Sequence, residues 1–179
     1  MRKNVFKGRV LSLSLYTLLI NSRKVTREII EHPGAAAVLC IENGKILLVK
    51  QHRFPHGYVL EIPAGTLEKD ETPLRCAFRE LREETGHTAK KMIPLIKYYP
   101  SIGYNTEIIH CYLASGVKKV GNLELDHDEI MSVVKIDFSK VVKMILSGKI
   151  TDSKTICAVL AYSMKTKSAK KGSKHKKFR

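Results

Sequence analysis

The chain has 179 residues, carries a net charge of +15 at pH 7, and is 44% apolar. This length and composition predict one folded domain with a substantial core. They exclude a membrane-spanning chain, because no apolar run approaches the roughly 18 residues that a helix needs to cross a bilayer. The four cysteines lie far apart, which favours free thiols in a reducing, cytoplasmic environment over a metal cluster.

The positive charge is concentrated at the C-terminus. Residues 165–179 contain eight lysines or arginines and no acidic residue, which leaves +7 for the rest of the chain. This stretch has no core pattern, so we expect a disordered basic tail. Weak, non-specific contact of this tail with nucleic acid is one expectation from its charge.

The first 31 residues predict two or three strands. Apolar residues between Val10 and Ile20 are separated by serine and threonine, and the Asn-Ser pair at 21–22 is a turn signal before a second such run. The His-Pro-Gly sequence at 32–34 ends this pattern. A change of domain is therefore expected near residue 31.

A second group of strands follows. The run from Ala35 to Ile41 predicts a buried strand, and the Asn-Gly pair at 43–44 predicts a hairpin into the strand from Ile46 to Val49. A polar strand end is expected at residues 51–54. Another short strand is expected at residues 58–63.

A loop and a helix lie between Gly65 and Gly86. Thr72 is suited to cap the helix, a proline suits its first position, and Gly86 fits the left-handed residue that ends a helix. The predicted core face recurs at i, i+3, i+4 and i+7, and it consists of Leu74, Ala77, Phe78 and Leu81.

Three carboxylates, those of Glu80, Glu83 and Glu84, are expected on the opposite, polar face of this helix. Like charges at this spacing repel each other by about 0.2–0.5 kcal/mol per pair. One interpretation is a solvated face neutralised by nearby arginines, Arg79 among them. The other is a site for a divalent cation such as Mg²⁺, which prefers oxygen ligands and often shares them with phosphates.

The C-terminal half predicts three more strands and two helices. The strands are expected over Ile93–Tyr99, Glu107–Ala114 and Val133–Ile136, with an acidic loop at residues 126–129 before the last strand. The helices are expected over Phe138–Leu146 and from the cap Asp152 to about Met164. Strands and helices in this order predict an α/β fold with a mixed sheet.

The glycine, arginine and glutamate spacing resembles the signature of the Nudix hydrolase family. The matching positions are Gly65, Glu71, Arg79, Glu80, Leu81, Glu83, Glu84 and Gly86. His87 departs from the signature, which has an aliphatic residue at that packing position. The resemblance implies an α/β/α sandwich with a mixed sheet, plus N-terminal antiparallel strands. It divides the chain into N-terminal strands (1–31), a Nudix domain (32–164) and the basic tail (165–179).

The sequence around this signature resembles the ADP-ribose pyrophosphatase branch of the family. The matching pieces include the Gln-His-Arg at 51–53, the Glu-Ile-Pro-Ala-Gly at 61–65 and the Gly-Lys-Ile at 148–150. The resemblance implies hydrolysis of a nucleoside diphosphate sugar, giving AMP and ribose 5-phosphate from ADP-ribose. It also implies Mg²⁺ as cofactor, with Mn²⁺ as a substitute, and a homodimer formed through residues 1–31.

The same resemblance assigns roles to individual residues. The implied metal ligands are Glu80, Glu83, Glu84 and the backbone carbonyl of Ala64. The implied substrate contacts are Arg27, Arg53, Glu61, Thr66, Ser101, Gly103 and Glu107. Arg79 counts among the catalytic residues, and we expect it to orient glutamates rather than touch the substrate.

A general base is also needed to activate the attacking water. Glu129, in the acidic loop, is the first candidate, either as base or as an additional metal ligand. A solvated acidic turn is the alternative for this loop. His127 and Glu83 are the other candidates for the base.

One position bears on the substrate. Relatives that cleave ADP-ribose usually have Ser-Pro-Gly where this chain has Ser101, Ile102 and Gly103. Proline fixes φ and stiffens a loop, and isoleucine does not. Hydrolysis of another sugar nucleotide, a dinucleotide cofactor or an oxidised nucleotide is therefore a second hypothesis. A nucleic-acid-binding protein that keeps the Nudix fold is a third, which the intact glutamate set disfavours.

Overall fold

The structure, a computed structural model, describes residues 1–123 and 131–175, with side chains up to residue 168. It contains strands β1 (Arg2–Lys7), β2 (Ser12–Ile20), β3 (Arg23–Glu31), β4 (Ala35–Glu42), β5 (Lys45–Arg53), β6 (Gly57–Glu61), β7 (Ala64–Thr66), β8 (His87–Thr88), β9 (Lys91–Tyr98), β10 (Ile109–Ser115), β11 (Lys118–Lys119) and β12 (Met131–Asp137). The helices are α1 (Pro73–Thr85), α2 (Phe138–Leu146) and α3 (Ser153–His175). No helix in these ranges is long and apolar enough to cross a bilayer.

The first three strands form their own antiparallel sheet in the order β1-β2-β3. The predicted turn between β2 and β3 has positive φ at both central residues, 49° at Asn21 and 63° at Ser22, which suits a tight hairpin. This sheet joins the rest of the chain near the end of β3. There the Ile30 N–H donates to the carbonyl of Tyr104 (2.7 Å), and the Thr106 N–H donates to the carbonyl of Ile30 (2.9 Å).

The central sheet is mixed, which confirms the predicted fold class. Its main path is β12-β5-β4-β10-β9, with β6 paired to β5 and β7 paired to β4. β4 and β10 run parallel, and the other pairs are antiparallel. The short strand β7 pairs with β4 and is followed by α1, so this helix starts close to the middle of the sheet.

Strand β4 is buried on both faces because helices cover each side of the sheet. Ala36, Val38 and Cys40 pack with the α1 residues Cys76 and Leu81. The alternate residues of β4 pack with α2 and α3 on the other face, in a cluster that includes Ala35, Ala37, Leu39, Val141, Ile145, Ala158 and Val159. The period of two in a strand thus divides the core into two layers, as in an α/β/α sandwich.

The ends of α1 follow the predicted capping pattern. The Arg75 N–H donates to the hydroxyl oxygen of Thr72 at 3.3 Å, and Gly86 has φ of 67° with its N–H donating to the carbonyl of Arg82. The predicted core face was wrong at Leu74, which is 44% exposed, while Cys76 is fully buried in its place. Cys76 therefore belongs to the face of α1 that packs against the sheet.

His87 fills the packing position where the family signature has an aliphatic residue. Its side chain is buried, and Nδ1–H donates to the carbonyl of Thr85 at 2.7 Å. A carbonyl only accepts hydrogen bonds, so Nδ1 carries the hydrogen. The buried histidine that replaces the aliphatic residue therefore has a hydrogen-bond partner for its Nδ1.

The C-terminal helix differs from the predicted boundary. We expected a tail without regular structure from residue 165, but α3 continues to His175. The Lys165 ammonium donates to the carbonyl of Leu95 in β9 at 2.6 Å, so the helix is still attached to the sheet at this residue. Thr166 adds hydrogen bonds to the carbonyls of Tyr162 and Ser163, both at 3.0 Å.

Candidate active site

Two glutamates of α1 lie under strand β7 rather than on a solvated face. Glu80 and Glu84 are 8% and 3% exposed. The Ala64 N–H donates to Glu84 Oε2 at 2.9 Å, and a Cβ at Gly65 would overlap the Glu80 carboxylate. Glycine at 65 therefore permits the close approach of strand and helix, and the burial of both glutamates contradicts the interpretation of a solvated face.

Arg79 binds several of the neighbouring carboxylates. Its guanidinium makes two parallel hydrogen bonds to Glu71, both 2.9 Å. Its Nη1 donates to Glu80 at 2.6 Å and to Glu83 at 3.0 Å, while Nη2 donates to the carbonyl of Thr66 at 3.2 Å. Arg79 thus connects the loop before α1 with the glutamates on α1.

This charge network changes the acid–base properties of its members. Hydrogen bonds from Arg79 lower the pKa of Glu71 to about 2. Hydrogen bonding to Glu71 and the charge of Glu80 in turn raise the pKa of Arg79, against the opposing effect of burial. At neutral pH the arginine is cationic and Glu71 is ionised.

A cavity of about 490 Å³ opens beside β7 and α1. Its lining combines carboxylates with cationic side chains: Arg9, Val10, Ala35, Arg53, Ala64, Gly65, Thr66, Glu68, Arg79, Glu80, Glu84, Glu107 and Lys154. Such a surface has acidic groups to hold a cation and basic groups to hold an anion.

Arg53 and Glu61 form a bidentate pair at the side of this cavity. The distances are 2.9 Å from Arg53 Nε to Glu61 Oε1 and 3.1 Å from Arg53 Nη2 to Glu61 Oε2. Burial would raise the pKa of Glu61, but its hydrogen bonds with Arg53 and the charge of Lys154 lower it overall. The Lys154 ammonium lies 3.0 Å from Glu61 Oε2.

Most predicted site residues come together around this cavity. Ala64, Thr66, Arg53, Arg79, Glu80, Glu84 and Glu107 line it, and Glu61 and Glu83 contact lining residues. Glu107 also lies 3.7 Å from Nδ1 of His32.

Other predicted residues lie elsewhere. Arg27, Ser101 and Gly103 are not part of the lining of this cavity within the described chain. Arg27 lies on the N-terminal sheet, where it donates to the carbonyl of Thr26 at 3.3 Å. Glu129 and His127 lie outside the described residues.

Two of the cationic lining residues, Arg9 and Lys154, were missed in the sequence. Arg9 lies between β1 and β2, and no sequence signal marks it. Lys154 had a signal: a cation in the first turn of a helix faces the positive end of the helix dipole, an unfavourable position unless carboxylates compensate it. Asp152 and Glu61 supply that compensation.

The donor set fits a hard divalent cation. Within residues 1–123 and 131–168, no three acidic, histidine or cysteine side chains are already arranged around one point. Glu80 and Glu84 are nevertheless buried carboxylates on one cavity, beside the backbone of Ala64. Oxygen donors without sulfur or imidazole favour Mg²⁺, Mn²⁺ or Ca²⁺ over softer ions.

The fold is similar to a solved structure titled "Crystal structure of ADP compounds hydrolase". The TM-score is 0.81, the identity is 18%, and the match covers 94% of this chain and 93% of the other. This likeness concerns the fold alone.

Curated relatives match in sequence over most of their length. ADP-ribose pyrophosphatase of Bacillus subtilis (strain 168) is 40% identical over 92% of this chain and 91% of its own. Methanol dehydrogenase activator of Bacillus methanolicus is 42% identical over 88% of this chain and 87% of its own. GDP-mannose pyrophosphatase of Yersinia enterocolitica serotype O:8 / biotype 1B (strain NCTC 13174 / 8081) is 34% identical over 86% of each chain.

The family comparison covers the site and most of the fold. The NUDIX domain model matches residues 31–157, a range that includes the central sheet, α1, α2 and every described acidic residue of the cavity. With relatives of 34–42% identity over most of the chain, the conclusion is that this protein belongs to the Nudix hydrolase family.

Proposed function

We propose that this protein hydrolyses the pyrophosphate bond of ADP-ribose, giving AMP and ribose 5-phosphate, with Mg²⁺ as cofactor. One observation carries the proposal: a single cavity holds buried Glu80 and Glu84 together with the cationic Arg53 and Lys154. A metal–diphosphate substrate needs both kinds of group. The 40% identity to a relative named ADP-ribose pyrophosphatase supports the choice of substrate.

Glu80 and Glu84 hold the cation in this proposal, with Glu83 and the backbone carbonyl of Ala64 as further ligands. When bound, Mg²⁺ neutralises phosphate charge and lowers the pKa of a coordinated water. Arg79 keeps Glu80 and Glu83 on one side of the site through its hydrogen bonds at 2.6 and 3.0 Å. Its role is therefore to position ligands.

Arg53 binds a substrate phosphate in this proposal. Its side chain is 44% exposed, while its partner Glu61 is 4% exposed, so the guanidinium is fixed on the buried side and accessible on the other. Thr66 and Glu107 supply polar contacts from the same cavity. Restricting these groups before the substrate arrives reduces the entropy lost on binding.

Glu129 is the proposed general base or an additional metal ligand, with His127 and Glu83 as the alternatives. Glu83 is 36% exposed, and one of its carboxylate oxygens already accepts a hydrogen bond from Arg79 at 3.0 Å. An acidic residue at 129 suits either role, because a carboxylate both accepts a proton and binds Mg²⁺.

The N-terminal sheet is the proposed dimer interface. It exposes several large apolar side chains on β1 and β2, namely Val5, Phe6, Leu18, Leu19 and Ile20, which contact with a second copy of the chain would cover. Arg27 lies on this sheet, away from the cavity of its own chain. A role for Arg27 as a substrate contact therefore requires that it reach the cavity of a partner subunit.

The alternative function is hydrolysis of another nucleoside diphosphate derivative. The relative named GDP-mannose pyrophosphatase favours it, as does Ile102, which replaces the usual proline and is 79% exposed. An exposed isoleucine leaves this loop without the restriction on φ that proline imposes.

Product analysis tests the proposal. The purified protein is incubated separately with ADP-ribose and with GDP-mannose, each with Mg²⁺ and with EDTA, and the products are separated by ion-exchange chromatography. We expect AMP and ribose 5-phosphate from ADP-ribose only when Mg²⁺ is present. Intact ADP-ribose beside cleaved GDP-mannose would establish the alternative.

A further inference from the structure

The first turn of α3 contacts two adjacent residues of the segment that leads into β7. The Lys154 ammonium lies 3.0 Å from Glu61 Oε2, and the Ile62 N–H donates to Thr155 Oγ1 at 2.9 Å. Because Ala64 begins β7 two residues later, this turn lies next to the segment that connects Glu61 with the cavity.

Asp152 holds both of the α3 residues that make these contacts. Its Oδ1 lies 2.5 Å from the Lys154 ammonium. Its Oδ2 accepts from the Thr155 N–H at 2.9 Å and from the Thr155 hydroxyl at 2.7 Å. Thr155 is fully buried, so the helix cap and the contact with Ile62 form one continuous set of hydrogen bonds.

Lys154 and Arg53 share an atom of Glu61. Oε2 accepts from Arg53 Nη2 at 3.1 Å and lies 3.0 Å from the Lys154 ammonium. The Lys154 side chain is 18% exposed and Glu61 is 4% exposed, whereas Arg53 is 44% exposed. Both cations line the cavity, and Lys154 is the more buried and Arg53 the more exposed of the two that bind this carboxylate.

We propose that Lys154 is a positioning residue that fixes Arg53 for phosphate binding, acting through Glu61. This role rests on the function proposed above. It adds a contribution to substrate binding from α3, a helix that lies outside the Nudix signature. Without Lys154, Glu61 loses one of its two cationic contacts, and its carboxylate is no longer held in the geometry that binds Arg53 through two parallel hydrogen bonds. The guanidinium then leaves the direction in which it meets the substrate.

A double-mutant cycle with Lys154→Met and Arg53→Ala tests this coupling. Methionine keeps the length of the lysine stem and removes the charge. We expect Lys154→Met to raise KM for ADP-ribose by about tenfold, within the range typical of residues that support a ligand-binding side chain, with a smaller change in kcat. In the Arg53→Ala background the same change is expected to raise KM by less than about twofold, because residues acting as a unit are not additive.

Two further variants separate positioning from folding. Lys154→Arg keeps the charge, so we expect its KM to lie much closer to the wild-type value than that of Lys154→Met. Lys140→Met removes an exposed lysine from α2 and is expected to leave KM and kcat unchanged. Additive effects of Lys154→Met and Arg53→Ala, or an unchanged KM in Lys154→Met, would overturn the role of Lys154.

A crystal structure of Lys154→Met gives a readout that does not depend on turnover. We expect the Arg53–Glu61 bidentate pair to be broken or rotated relative to the wild type. If the pair is unchanged, the inference is wrong whatever the substrate. If the wild-type protein does not cleave ADP-ribose, the proposed function is wrong, and the crystal structure still decides whether Lys154 orients Arg53.

Discussion

The guanidinium of Arg79 contacts Glu80 and Glu83, two of the carboxylates proposed to hold a cation. It neutralises their charge when no cation is bound, which limits the repulsion expected between glutamates one turn apart. Each carboxylate has two oxygens with several lone pairs. The same side chain can therefore accept a hydrogen bond from Arg79 and bind a metal ion. Arg79 thus stabilises the site and leaves it able to bind a cation.

Glu84→Gln is the most specific change at the metal site. The amide oxygen of glutamine is still able to accept from the Ala64 N–H, which Glu84 now binds at 2.9 Å, so we expect the fold to persist. The charge is lost, and kcat for ADP-ribose is expected to fall by about a hundredfold or more, as when one electrostatic group is removed from an active site. Steady-state kinetics at saturating Mg²⁺ and thermal unfolding measure the two effects.

Glu42→Gln is the matched control for this substitution. Glu42 pairs with Lys135 at 2.7 Å outside the cavity, and its loss is expected to leave kcat within about twofold, in keeping with the small effect of exposed ion pairs. Near-normal turnover in Glu84→Gln would contradict the assignment of Glu84 as a metal ligand.

Glu71 is expected to make stability depend on pH. Its pKa falls from its ordinary value of 4.5 to about 2 because Arg79 binds the ionised form. A lowered pKa adds stability above the ordinary value, and this contribution is lost as pH falls from about 4.5 toward 2. In urea unfolding with EDTA, the difference in free energy of unfolding between wild type and Glu71→Gln should be constant above pH 5 and shrink below it.

Glu28→Gln, on the exposed strand β3, reports the general effect of removing one carboxylate. A difference between wild type and Glu71→Gln that stays the same from pH 7 to pH 3 would show that the Arg79 pair does not lower this pKa. The measurement is independent of any substrate.

Local signals account for the elements that the sequence predicted well. The caps of α1 and the two Asn-containing hairpins depend on neighbouring residues, and they appear where predicted. The start of β10 was predicted two residues early, at Glu107. Its N–H instead donates to the side chain of Asn105 at 2.8 Å, a local turn that competes with strand pairing.

Long-range contacts account for what the sequence did not predict in the site. The helix pattern placed Glu80 and Glu84 on the polar face of α1, and their burial beside β7 depends on a contact that this local pattern does not contain. Lys154 meets Glu61 only after the sheet brings α3 beside β6, although the two are far apart in the sequence. The family resemblance therefore predicted several residues of the cavity, whereas the burial of the two glutamates and the Lys154 contact were not predicted.

The end of α3 is expected to be dispensable for turnover. Residues 169–179 carry six of the eight positive charges of the predicted tail, and they lie beyond Lys165, which binds the carbonyl of Leu95. Deleting residues 169–179 should leave kcat and KM for ADP-ribose within about twofold, since no described cavity residue is removed. Steady-state kinetics on the truncated and full-length proteins measure this.

Binding of a single-stranded oligonucleotide tests whether the basic end of α3 contacts nucleic acid, separately from any effect on turnover. We expect the full chain to bind weakly at low salt and to lose this binding at high salt or on truncation, as electrostatic contacts do. Loss of turnover on truncation would contradict an accessory role for the basic segment.

At the scale of the whole molecule, the N-terminal sheet is the part that we propose to contact a second copy of the chain. Leu19 lies on β2 and is 73% exposed, and a stable dimer typically buries about 1,200–2,000 Å². Leu19→Asp places a charge in the proposed interface, so we expect it to convert a dimer to a monomer in sedimentation velocity. Activity should fall with it if Arg27 acts in the partner subunit.

Leu146→Asp is the control for the dimer prediction. Leu146 lies at the end of α2 and is 76% exposed, so the substitution adds the same charge at a site of similar exposure outside the sheet. A wild-type protein that is monomeric at micromolar concentration, or a Leu19→Asp variant that remains a dimer, would contradict the proposed interface.

The central claim is that the glutamates at 80 and 84 bind the divalent ion that acts on the diphosphate. Anomalous diffraction from crystals soaked with Mn²⁺ and a non-hydrolysable ADP-ribose analogue tests it most directly. We predict a manganese peak in contact with both carboxylates and with an oxygen of the diphosphate. A bound analogue with no manganese beside either glutamate would contradict the account.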